Sequence, residues 1–413
     1  MKRPQLYHRR VICIPFEQDQ YDEIVMDPVA FREHLDRYYS LNPEPFPEDF
    51  EKGYKMKDLG TSSKLGITVR RITVGSTAYT IRPSFVTPYM TAWTDDIEDA
   101  LFLRKFDVPF WAIALIFGKY AMYWHRLECS LGRNSVVGTT VQAPEKIPKD
   151  LGADEKHSRC CGEKVYVTTT VGEECILGVS IAEKASNEEI LEGYSVFKEE
   201  ALDKNTDYSP RTVNTDGYLP TRTAWQKLFP AVALITCFLH IFIKLRDGAK
   251  KKFKSIFEEV AGRLWECYRA KCKASFSQRV RRLHEWSVKK SHPERMQKTL
   301  GKLRSNLPYY SRAYDYPGAH RTSNMLDRLM RKMDRHLFNT VYLHGSLEVG
   351  ELSLRGWALI QNFAPLNPET VKKYEGKLSR AERLNGYRYH ESWLQNLLIS
   401  ASLGGYRSPP QNS

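Results

Sequence analysis

Residues 151–239 spell out an order of elements that restricts the fold more than any other feature of the chain. Three strand candidates come first: LGADEK (151–156), KVYVTTTV (164–171) and ECILGVSI (174–181). A helix is predicted over 187–202, where Ile190, Leu191, Tyr194 and Phe197 recur at helical spacing. RTVNTDG (211–217) then reads as a strand ending in a turn, and AVALITCFL (231–239) as another apolar strand. Three strands, a helix, a strand, a helix and a strand predict the α/β class, with a mixed sheet. The whole chain has 413 residues, 42% hydrophobic and 27% charged. That composition excludes a disordered or fibrous protein, and the length predicts two or three domains.

The flanks differ from this centre. Residues 1–93 carry one clear pattern, a β-hairpin at 66–85 turning at Gly75-Ser76. Residues 94–143 are helical. Asp95-Asp96 opens one helix, Pro109 suits the first turn of a second, and Gly118 turns the chain into a third, KYAMYWHRLECSLGR. Three short helices around a glycine turn predict a helix-turn-helix with Lys119, Tyr123 and Arg126 on one DNA-facing side, although any small bundle has the same pattern. PEKIP (144–148) is a linker.

Charge is unevenly placed. The chain carries a net +13, yet residues 1–240 sum to −5, residues 341–413 to +2 and residues 241–340 to +16. The basic block includes Lys250-Lys251-Lys252 and Arg279, Arg281 and Arg282, with Trp265, Tyr268 and Trp286 interleaved. A block of this kind attracts a polyanion through counterion release, and the aromatic rings are able to stack on bases or simply to pack. Its alternative meaning is a solvated helical surface.

The most apolar stretch, LFPAVALITCFLHIFI (228–243), is shorter than the roughly 18–20 residues that a bilayer requires, and it contains Pro230 and His240. It is expected to be a buried strand running into a helix in a soluble protein without a membrane partner. Eight cysteines without a CxxC pair point to a reducing compartment, and the basic start MKRPQLYHRR lacks the apolar core of a signal peptide.

Two carboxylates occupy places where catalytic groups gather: Asp154 in the first strand of the series and Asp216 at a strand exit, before Gly217. A third, Asp327, lies on a helix predicted over 321–338. Hard divalent cations need several oxygen ligands, which such a trio supplies. By spacing alone, Asp before Gly is more often a turn former.

Thr215-Asp216-Gly217, Leu228-Phe229-Pro230 and Cys237-Phe238-Leu239-His240 together resemble the DDE/D transposases, most nearly the Mutator-like elements and related bacterial insertion-sequence transposases. The likeness covers roughly residues 150–340. It implies an RNase H-like mixed-sheet catalytic core (149–243 and 308–345) interrupted by an all-helical insertion (244–307), with a C-terminal region at 346–413. It also implies that Asp154, Asp216 and Asp327 hold two Mg²⁺ ions, for which Mn²⁺ substitutes. Asp327 stands where relatives commonly carry Glu, and Asp334, Glu348 and Glu351 are rivals. Glu155 is expected on the opposite strand face from Asp154. The Cys237/His240 motif supports the site or serves as ordinary core, on a strand in either case, and no second Cys/His pair completes a zinc set.

The function implied is transposition of a mobile DNA element: metal-dependent cleavage at its ends, then attack of the 3′-hydroxyl on target DNA. The implied partners are double-stranded DNA and a second copy in a synaptic homodimer, in a bacterial cytoplasm at the nucleoid. Two alternatives are a catalytically inactive DNA-binding derivative and another RNase H-like nuclease.

Overall fold

The computed structural model describes residues 9–249 and 253–406. Its N-terminal layer is a four-stranded sheet built from β1 (Val11–Ile14), β2 (Tyr54–Thr61), β3 (Thr68–Val74) and β4 (Thr77–Pro83), in the order β1-β4-β3-β2. β3 and β4 form the predicted hairpin, with Gly75 at φ +57° supplying the turn. β1 joins the far edge of β4 in parallel. Helix α1 (Tyr21–Met26) leads into α2 (Pro28–Leu41), which is capped by Asp27 accepting from the Val29 amide at 2.8 Å. Phe31 and Leu35 of α2 pack against Ile12, Ile14, Ile72 and Ile81.

Three helices follow: α3 (Glu98–Arg104), α4 (Phe110–Phe117) and α5 (Ala121–Gly132), with the short α6 (Val136–Thr140) after them. Pro109 caps α4 instead of entering its first turn. These helices do not close a core of their own: Leu101, Ile113, Trp124 and Leu131 share one apolar cluster with Leu359, Phe363, Leu394 and Leu397 from the C-terminal region. Lys119 lies in the left-handed turn ahead of α5, at φ +59°, so it does not share a helical face with Tyr123 and Arg126.

The central sheet comprises β5 (Asp150–Cys160), β6 (Glu163–Gly172) and β7 (Cys175–Ala182), then α7 (Asn187–Lys204), β8 (Thr212–Thr215), α8 (Leu219–Leu228) and β9 (Ala233–Thr236). Strand order is β7-β6-β5-β8-β9. The first three strands form an antiparallel meander, while β8 runs parallel to β5 and β9 parallel to β8. Strand periodicity divides β5 between two layers. Leu151 and Ala153 belong to the core under α7 and α8, with Tyr194, Phe197 and Trp225. Gly152 faces the opposite layer, where a Cβ would stand 3.5 Å from Leu326.

After β9 come α9 (Leu239–Ala249), α10 (Lys254–Tyr268), α11 (Lys273–Lys289), α12 (Glu294–Ser305) and α13 (Leu307–Ser311). Their apolar faces, including Leu245, Leu264, Phe276, Leu283 and Leu300, close a separate core. Residues 305–320 contain α13 and a 3₁₀ turn over Arg312–Asp315, with Tyr310 and Ala313 drawn into burial.

The chain returns to the sheet as α14 (Asn324–Asn339), α15 (Leu347–Phe363), α16 (Pro368–Lys373), α17 (Arg380–Asn385) and α18 (Trp393–Ser400). Leu326, Met330 and Met333 of α14 cover Val165, Val167 and Val179. α15 is a central helix packed on α5 so closely that a Cβ on Gly356 would stand 2.1 Å from the Glu128 carbonyl oxygen.

Candidate functional site

Asp154 sits on the α14 side of β5, between Gly152 against Leu326 and Lys156, which pairs with Asp334 at 2.5 Å. The β5–β8 register runs Asp150 to Thr212 and Gly152 to Asn214. That pairing ends at Gly152 and Asn214, and Asp154 and Asp216 each lie two residues further along their chains. Gly217, at φ +93°, lets the chain leave β8 sharply. The Tyr218 amide donates to Asp216 Oδ1 at 2.6 Å and fixes that carboxylate at the strand exit.

The third acid arrives from across a long insertion. Segment 317–323 passes the ends of β8 and β9 and is tied there by three hydrogen bonds. Arg211 donates to the Pro317 carbonyl at 3.0 Å, Asn214 Nδ2 to the His320 carbonyl at 2.8 Å, and the Phe238 amide to the Arg321 carbonyl at 3.0 Å. At its end Ser323 is buried, with Oγ 2.9 Å from both carboxylate oxygens of Asp327 and 3.1 Å from Cys237 Sγ. The Ser323 amide also donates to that sulfur at 3.1 Å. Asp334 is occupied by Lys156, and Glu351 accepts from Ser180 Oγ and the Ile181 amide on β7, so neither rival is aimed at Asp154. Glu348 is exposed in the first turn of α15.

Cys237 and His240 do not share a strand. Cys237 follows β9, its amide bonded to the Thr215 carbonyl at 2.8 Å, and His240 lies in the first turn of α9. Burial pushes the Cys237 thiol up, but hydrogen bonds from His240 and Ser323 outweigh it and leave the pKa lowered. The His240 imidazole is held up mainly by Cys237, against its own burial, and further by the charges of Asp216 and Asp327. Its Nδ1 is buried without a hydrogen-bond partner.

The carboxyl of Asp154 is pushed up to about 7, first by burial, then by the charges of Asp216 and Glu155; the Glu155 amide and His240 oppose the shift. Asp154, Asp216 and Asp327 therefore act electrostatically on one small region around His240. Glu155 faces the other layer, accepting from Tyr194 OH and Thr221 Oγ1, each at 2.6 Å.

Among the described residues no three Cys, His, Asp or Glu side chains are drawn together closely enough to enclose a metal ion. The donor chemistry nevertheless suits a hard cation better than a soft one. The neighbouring negative charge that pushes the Asp154 carboxyl up is relieved by positive charge, whereas Cys237 and His240 are already committed to each other.

Sequence reasoning overlooked two residues here. Ser323 stands at the N-cap of α14, four residues before Asp327, to which its hydroxyl donates. Arg222, on α8 six residues beyond Asp216, has its guanidinium 3.7 Å from the Tyr309 ring centroid and a buried Nε without a partner. An arginine one turn into the helix after the Thr-Asp-Gly turn was the available signal.

The expected DNA-contacting residues are dispersed. Lys250, Lys251 and Lys252 lie outside the described residues. Arg279, Arg281 and Arg282 are exposed on α11, where Arg279 donates to the Glu266 carbonyl at 2.6 Å. Trp265 is half-buried against Phe238, Phe242 and Tyr268; Trp286 is half-buried against His292, with Arg263 over its face at 4.2 Å. Tyr123 packs on Trp124, Arg126 is exposed, and the second half of α5 is sealed against α15. No described helix is long and apolar enough to cross a membrane.

No model of a known protein family matches the chain, and no curated protein matches it at a significant level.

Proposed function

We propose that the chain is a DNA transposase of the DDE/D type, with β5 to β9 as an RNase H-like core and α9 to α13 as its helical insertion. The observation that carries this reading is the approach of three acids from distant segments to one region: Asp154 on β5, Asp216 after the adjacent β8, and Asp327 on α14. The antiparallel meander followed by two parallel strands suits such a core, and the net +16 over residues 241–340 suits a DNA backbone.

In this reading Asp154, Asp216 and Asp327 hold Mg²⁺ or Mn²⁺. Bound divalent ions would activate a water or 3′-hydroxyl and stabilise the departing oxygen of the phosphodiester. Asp216 is held by the Tyr218 amide and Asp327 by Ser323, so two of the three oxygen donors are oriented before substrate arrives. Asp154 loses its proton as positive charge enters. Arg222 offers a guanidinium to a phosphate oxygen, and the exposed arginines of α11 hold the flanking backbone.

The test uses linear DNA spanning the chromosomal sequence on either side of the gene, with Mg²⁺ or Mn²⁺. Cleavage at discrete ends, and joining of a pre-cut end to a plasmid, are expected for the wild type and lost in Asp216→Asn. Equal activity in that variant refutes the assignment. A second reading, a catalytically inactive DNA-binding derivative, is favoured by the absence of a tight three-ligand cluster among the described residues. It predicts DNA binding without cleavage in either ion.

A further inference from the structure

Helix α4 violates the usual sorting of residues. FWAIALIF is apolar all round, yet only Ile113 is fully buried, against the helical cluster it shares with Leu101 and Trp124. Trp111 and Leu115 project from the opposite face, and Ile116 is exposed in the last turn; Phe106 before the helix and Tyr120 and Met122 after it extend the apolar surface. These six side chains are 51–79% exposed. An all-apolar helix belongs in an interior or an interface, and so dense a group is unusual on a monomer's surface.

We propose that α4 is a homodimer interface, packed on α4 of a second copy across a two-fold axis. Two observations select that occupant. The first is area. At about 150–250 Å² for a large side chain, six of them exposed to this extent remove on the order of 700 Å² per copy, close to the ~800 Å² per partner of a standard stable interface. The second is charge. Between residues 106 and 122 the charged groups are Asp107 and Lys119 alone, and Asp107 is buried, bonded to Trp357 and facing His336. A two-fold contact sets each residue near its own copy, which like charges disfavour. On a chain of net charge +13 this nearly uncharged patch is where two copies approach without repulsion, and it offers one exposed cation to a nucleic acid. The inference goes beyond the proposed function, because it holds whether or not the acids cut DNA.

Sedimentation equilibrium of the full chain at micromolar concentration, without DNA or divalent ions, tests it. The wild type is expected to be a dimer. Leu115→Glu and Ile116→Glu should each raise the dissociation constant about 30-fold or more, as loss of a central anchor does. Val29→Glu, at an equally exposed apolar position on α2, should leave it unchanged. Circular dichroism melting confirms that each variant folds. A monomeric wild type, or a dimer indifferent to both α4 charges, overturns the proposal. So does a monomer that co-sediments with phosphatidylserine vesicles through these residues, which assigns the patch to lipid.

Discussion

Replacing Asp154 by Asn should stabilise the fold while removing its response to divalent ions. The carboxyl is pushed from its ordinary 3.8 to about 7 by burial and by Asp216 and Glu155. Between those two values the folded protein binds a proton that the unfolded chain has released, so the group's contribution falls as pH rises through this window. At 1.36 kcal/mol per pKa unit the accumulated penalty is roughly 4 kcal/mol at pH 8, roughly 2 kcal/mol at pH 5 and near zero at pH 3. Asparagine carries no charge at any of these pH values and still accepts from the Glu155 amide, which lies 2.9 Å from Asp154 Oδ1. Urea unfolding followed by fluorescence, with Trp225 buried beneath the sheet, should show the variant gaining most at pH 8 and progressively less on acidification. Added Mg²⁺ should narrow the gap at pH 8 by stabilising the wild type alone. A variant no more stable than wild type at pH 8, or a gain that does not change with pH, would refute the argument that Asp154 is destabilised by its charged neighbours.

Two further outcomes follow from packing and charge. Gly356→Ala drives a methyl group into the Glu128 carbonyl oxygen and should lower stability by roughly 3 kcal/mol or more through separation of α5 and α15, whereas Gly262→Ala, with open space around it in mid-α10, should raise stability by about 0.5–1 kcal/mol; thermal melts of the two variants make the comparison. Simultaneous Arg279→Ala, Arg281→Ala and Arg282→Ala should flatten the slope of log affinity for duplex DNA against log salt by roughly 2–3, and an unchanged slope places DNA elsewhere.

The central sheet was legible because each strand is bounded by turn residues and because helix and strand periods alternate without ambiguity. Position within β5 was legible too: strand alternation separates Asp154 from Glu155, and the structure places them in opposite layers. The choice between Asp327 and Asp334 was not. The two lie seven residues apart on nearly one helical face, and what distinguishes them is Lys156, a residue of another element. α15 escaped notice for a different reason. It is buried over almost its whole circumference and carries Gly350 and Gly356, so it lacks the polar stripe that marks a helix in sequence. Beyond its hairpin, the N-terminal sheet was hidden because β1 has four residues and β2 is mostly exposed, leaving no alternation to read. The Cys237 to His240 run misled in a smaller way: its apolar character continues past β9, but the strand stops at Thr236 and the histidine belongs to α9.

How a carboxylate is placed accurately after a long helical excursion has a physical answer in segment 317–323. The excursion leaves the sheet at Phe238 and returns at Arg321, and the amide of one donates to the carbonyl of the other. Its two ends are therefore fixed together, and its interior packs on its own core, so its length adds little uncertainty at the point of return. Arg321 also ties the return to the insertion. Its Nη2 donates to the Tyr268 carbonyl at 2.6 Å, and its guanidinium lies 4.3 Å from the Tyr268 ring centroid and 4.5 Å from that of Tyr314. Two residues later Ser323 holds Asp327. A displacement of α10 against the sheet consequently acts on Asp327 through two residues of backbone, while Asp154 remains fixed by its pairing with Thr169 and Asp216 by the Tyr218 amide. In the proposed enzyme, DNA bound to the basic insertion would act first on the third carboxylate.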